Sequence, residues 1–80
     1  MHRAFATPIR FTNPDTGGSV VLVDTSSAVI FLSTRWRWDK GLGYFTAARA
    51  CMMVMDEFDD PENARAAVVF ALRQAGVAAT

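Results

Sequence analysis

The sequence predicts an α+β fold, with an N-terminal antiparallel β-hairpin packed against two to three α-helices in the order ββααα. Three observations predict it. A dense cluster of turn formers, Asn13-Pro14-Asp15-Thr16-Gly17-Gly18, separates two stretches rich in β-branched and aromatic residues. Further along, apolar residues recur every three or four positions over two long stretches. Between those stretches, Asp60-Pro61-Glu62 combines a helix-capping residue, a first-turn proline and a first-turn acid.

The first strand is read at residues 8–12, where Ile9 and Phe11 alternate with Arg10 and Thr12. The second covers residues 19–25 and is rich in valine. Residues 26–36 are ambiguous, because Ala28-Val29-Ile30-Phe31-Leu32 suits a buried strand as well as a helix. Helix is favoured because Thr25, Ser26 or Ser27 offers a hydroxyl to cap free backbone N–H groups. Ala28, Leu32 and Trp36 would then share one face.

Lys40-Gly41-Leu42-Gly43 reads as a connection. A helix follows over residues 44–58, with Tyr44, Ala48, Cys51, Met55 and Phe58 as its inward stripe and Met52 and Phe45 at the edge. Thr46, Arg49, Met53, Asp56 and Glu57 fall opposite. The last helix starts after the N-cap Asp60 and turns Ala64, Ala67, Val68, Ala71, Leu72 and Ala75 inward, and Gly76 ends it. A lone hairpin is marginal, so it must rest on the helices, with room for a third short strand from the residues near Phe5, from the tail 77–80, or from a second subunit's edge.

Eighty residues make one domain, residues 1–80, which hides only about 60–65% of its unfolded surface. Small domains compensate with disulfides, metals or partner subunits. The single cysteine excludes a disulfide within the chain, and Cys51 with His2 falls short of a zinc set. Oligomerisation is the device left, unless the core alone suffices. Eight basic and eight acidic residues cancel, which removes any global attraction to nucleic acid or an anionic membrane. The lone thiol, the start without a signal-peptide apolar region and the lack of a spanning apolar run lead us to expect a cytoplasmic protein.

The order Pro8-Ile9-Arg10-Phe11, Val23, Ala28/Leu32/Trp36, Gly41, Tyr44, Ala47-Ala48, Cys51, Ala64-Arg65-Ala66-Ala67 and Ala75-Gly76-Val77 resembles a bacterial family catalogued as domain of unknown function 982. Departures are Arg37 where that family tends to have proline, Glu57 where it tends to have glycine, and Phe70 where a small residue is usual. The resemblance supports helix over residues 27–36 and implies no activity.

Candidate chemistry is sparse. His2 is the only histidine, and Cys51 sits within an apolar stripe where it should behave as a small buried hydrophobe. Gly41-Leu42-Gly43 lacks the remaining residues of a phosphate or dinucleotide loop. The acidic run Asp56-Glu57-Phe58-Asp59-Asp60-Pro61-Glu62 lacks the spacing of a calcium loop. No catalytic residue, cofactor or metal is therefore expected. Arg35, Arg37 and Lys40, interleaved with Trp36 and Trp38, are candidate nucleic-acid contacts. Met53 and Phe70 fall off the core faces and, with Trp38, are candidate interface residues. The preferred expectation is a non-enzymatic homodimeric module acting through a partner protein or a small regulatory ligand. A nucleic-acid-binding accessory protein and a thiol-dependent ligand site at Cys51 are the alternatives.

Overall fold

The computed structural model describes residues 4–80. Two strands, β1 (Ala4–Thr12) and β2 (Ser19–Asp24), pair antiparallel, and three helices follow, α1 (Thr25–Thr34), α2 (Leu42–Met55) and α3 (Pro61–Gln74). The hairpin turns where the sequence concentrates turn formers. Asn13 exchanges backbone bonds with Gly17 and Gly18, its side-chain oxygen accepts from Asp15 N, and Gly17 takes a positive φ of 75°. Helix at residues 26–36 is the correct reading of the ambiguous stretch, although α1 ends at Thr34.

β1 starts four residues earlier than expected. Its register is regular from Ile9 (opposite Leu22) to Thr12, but Ala4 lies opposite Asp24, so the ladder breaks around Pro8. A proline donates nothing to a ladder, and the freed groups need other partners. The start of α3 supplies them: Ala6 N donates to Glu62 Oε2 at 2.7 Å, and Arg65 Nε donates to Thr7 O at 2.6 Å. The residues near Phe5 thus extend β1 and do not form a third strand. The tail comes closer to that role. Arg10 and Thr80 exchange reciprocal backbone bonds of 3.3 and 3.1 Å, and Arg73 donates twice to Ala79 O. Val77 and Ala79 are buried while Ala78 and Thr80 are exposed, a strand-like alternation along the far edge of β1.

One core joins these layers. Phe5, Ile9, Phe11, Val20 and Leu22 of the hairpin meet Phe31 and Leu32 of α1, Cys51 and Val54 of α2, and Val68 and Leu72 of α3. Asp24 ends β2 and caps α1: its Oδ1 accepts from Ser27 N and from Ser27 Oγ, both at 2.7 Å. The cap is therefore Asp24, in place of the expected Thr25, Ser26 or Ser27, because the strand delivers an extended aspartate where the first turn needs an acceptor.

Both later helices end alike. At α3, Gly76 N donates to Arg73 O and Val77 N to Leu72 O, with Gly76 at φ 86°. At α2, Glu57 N donates to Val54 O and Phe58 N to Met53 O, with Glu57 at φ 65°. Each is a Schellman termination, and each needs a left-handed residue. A glutamate there carries a steric cost of about 1–2 kcal/mol that glycine does not. Glu57→Gly is accordingly expected to stabilise the domain by about 1 kcal/mol, raising Tm by ~4–8 °C in a thermal melt. No rise in Tm would show that contacts of the Glu57 side chain offset the strain.

Candidate functional site

The structure corrects the expected inward face of α2. Gly43, Ala47, Cys51 and Val54 are buried, whereas Met55 and Phe58 are exposed and Tyr44 and Ala48 are half-buried. The helix carries two apolar stripes about a quarter-turn or more apart, one of small residues and one of large ones. The small stripe goes inside because α3 offers a matching surface of Ala64, Ala67 and Ala71. Gly43 shows how close the approach is: a Cβ built there would lie 3.2 Å from the Ala71 Cα. Bulky side chains have no room at this seam.

The large stripe consequently faces outward. Phe45 is 59% exposed, Met52 56% and Met55 44%, with Ala48 between them at i, i+3, i+7 and i+10. The α1 helix runs antiparallel beside it. Ser26 Oγ touches Met55 Sδ at 3.9 Å near one end, and Tyr44 Oη donates to Leu32 O at 3.0 Å near the other. Between the helices, Val29, Ser33, Ala48 and Met52 line a shallow notch of about 100 Å³. Exposed Ile30 stands beside it on α1. This surface was legible as a seven-residue repeat, but its members were assigned to the core or its edge.

Of the expected interface residues, Met53 is 39% exposed on α2 and Phe70 52% on α3. Trp38 is half-buried within an aromatic cluster. Its ring lies 5.0 Å from Trp36 and 6.3 Å from Phe31, and Trp36 in turn lies 5.3 Å from Tyr44. Trp36 stands beyond the end of α1, so it reaches the core from the loop and not from a helix face. In the last turn of α1, Ser33 and Thr34 donate their hydroxyls back to Val29 O and Ile30 O.

The candidate nucleic-acid cations are all exposed, and each has a partner in the chain. Arg35 sits 5.9 Å over the Phe31 ring, Lys40 sits 5.4 Å over the Tyr44 ring, and Arg37 pairs with Asp15 at 3.6 Å. An open cleft of about 560 Å³ adjoins this segment, walled by Trp36, Trp38, Tyr44, Asp39, Gly43 and Gln74. Gly41 caps the start of α2 without a side-chain bond. At the other end, Asp60 occupies the N-cap of α3, but its side chain makes no cap bond, and Asp59 Oδ1 accepts from Asp60 N and Asn63 Nδ2 instead.

Cys51 is fully buried, and desolvation raises its thiol from 9.0 to about 11. His2 lies outside the described residues. Among the described residues no group of three or more His, Cys, Asp or Glu could hold a metal, and no helix is long and apolar enough to cross a membrane. The shifted thiol has a consequence for stability. Its folded pKa exceeds its unfolded one, so the unfolded chain loses the proton first as pH rises. Its contribution is intact below about pH 9 and is lost towards pH 11. Over that window the parent protein is expected to lose on the order of 2 kcal/mol more stability than Cys51→Ala, by urea melts at each pH. Parallel slopes for the two proteins would refute the assignment.

By its architecture this is a small α+β domain of ββααα order, its one thiol closed off and its largest apolar side chains divided between core and surface. The chain belongs to the family described as protein of unknown function DUF982, whose family model matches residues 7–79. No curated protein and no solved structure matches it.

Proposed function

We propose that this domain is a non-enzymatic interaction module of the cytoplasm that self-associates as a homodimer and presents its helical surface to a partner protein. One observation carries the reading: α2 turns its small residues inward and leaves Phe45, Met52 and Met55 in solvent beside the apolar residues of α1. An outward stripe of large side chains weakens solubility unless something covers it. Methionine-rich surfaces adapt readily to partners. Burial of the only thiol supports a non-enzymatic role, since a thiol held above its ordinary pKa is a poor nucleophile at neutral pH.

Sedimentation equilibrium from low to high micromolar concentration is the direct test. A rise in mass from 8.8 kDa towards twice that value is expected. A monomer throughout would refute the reading.

A further inference from the structure

We propose that two copies pair through their α2 helices, antiparallel, about a twofold axis that passes between Ala48 and Arg49. This rests on the self-association reading and specifies its surface. The exposed residues Phe45, Met52 and Met55, with half-buried Ala48, are spaced i, i+3, i+7, i+10. That is the a/d spacing of a narrow helix–helix seam. A helix using this seam for one partner and the Gly43/Ala47/Cys51/Val54 stripe for its own core is apolar on two sides, as α2 is.

Charge decides the occupant and the direction. Just before α2 stand Arg35, Arg37 and Lys40 against the single acid Asp39. Just after it come Asp56, Glu57, Asp59, Asp60 and Glu62, with no cation until Arg65. The ends of the helix are therefore oppositely charged. A parallel pair would stack like charges at both ends, whereas an antiparallel pair sets basic against acidic twice. Complementarity of this kind selects partner and orientation. A surface whose two halves complement each other is what a twofold, isologous contact requires.

The register follows from the same symmetry. With the axis between Ala48 and Arg49, Phe45 of one copy faces Met52 of the other, and Lys40 falls towards Asp56 and Glu57 of the other copy. The small Ala48 lies where the helices come closest, and the notch beside it gives the incoming side chains a place to seat. Arg49 is on the flank, about 80° around the helix from the middle of the seam, so its charge stays in water. One helix seam with the neighbouring Val29 and Ile30 is smaller than the about 800 Å² per partner of a standard interface. Association in the micromolar range is expected.

Sedimentation equilibrium of the full chain, with circular dichroism to confirm folding, tests the proposal in three comparisons. Met52→Glu is expected to abolish the dimer, and the same change at the exposed α3 site, Phe70→Glu, to leave it intact. Lys40→Glu and Asp56→Lys are each expected to weaken association, and the double variant to restore it. Ala48→Cys is expected to cross-link to its own copy under mild oxidation, while Cys51 stays buried and unreactive. A dimer that survives Met52→Glu, or dissociates with Phe70→Glu, overturns the α2 seam but leaves self-association standing. A charge swap that fails to restore binding overturns the antiparallel direction. A parent protein that is monomeric at every concentration overturns both the seam and the reading beneath it.

Discussion

Phe31→Ala is expected to lower folding stability by about 3–5 kcal/mol, the range for emptying a phenylalanine site in a packed core. Phe31 is buried in α1 and joins β1 to the loop that follows α1. Its ring meets Phe11 of β1 at 5.4 Å edge-on, Trp36 at 6.2 Å and Trp38 at 6.3 Å, while Arg35 lies over its face. Truncation removes the transfer free energy of the ring and leaves the two tryptophans without the surface they pack on. A domain of this size holds only about 4–12 kcal/mol in total, so the variant should be partly unfolded at 37 °C. Urea melts followed by tryptophan fluorescence would measure this, since Trp36 and Trp38 report the site itself. A loss below about 1 kcal/mol would show that the cluster is not packed as described.

Gly43→Val should cost about 2–3 kcal/mol for the opposite reason, overpacking. The position is in the first turn of α2, where valine is no worse than glycine as a helix former. The penalty comes from α3: the new Cβ would meet the Ala71 backbone at 3.2 Å and run into the Gln74 side-chain oxygen. Gln74 is exposed and can swing away, but the Ala71 Cα cannot move without shifting the helix. Combining the substitution with Gln74→Ala should therefore recover only a small part of the loss. Full recovery in a thermal melt would show that the side chain, and not the helix spacing, sets the limit.

Local chemistry made much of the fold legible. Asn13, Asp15 and Gly17 marked the hairpin turn, Asp60-Pro61 marked the start of α3, and Gly76 marked its end, because each acts through bonds and dihedrals within a few residues. The Schellman turn at Glu57 was obscured for the same reason: a glutamate gives no local sign of positive φ. Asp24 was missed as a cap because it also closes β2, and a one-dimensional pattern assigns it to one element. Its spacing to Ser27 was the available signal.

The family resemblance, the hairpin and the two later helices were thus legible in residue type and spacing, which encode torsion preferences and which side chains line up along an element, whereas the same pattern left α1 open between strand and helix. The tertiary structure alone decided which apolar side of α2 is buried. Both stripes have helical period, so the pattern ranks them equally. The choice belongs to α3, whose alanine-lined surface admits only glycine, alanine, cysteine and valine at that separation and excludes phenylalanine and methionine by volume.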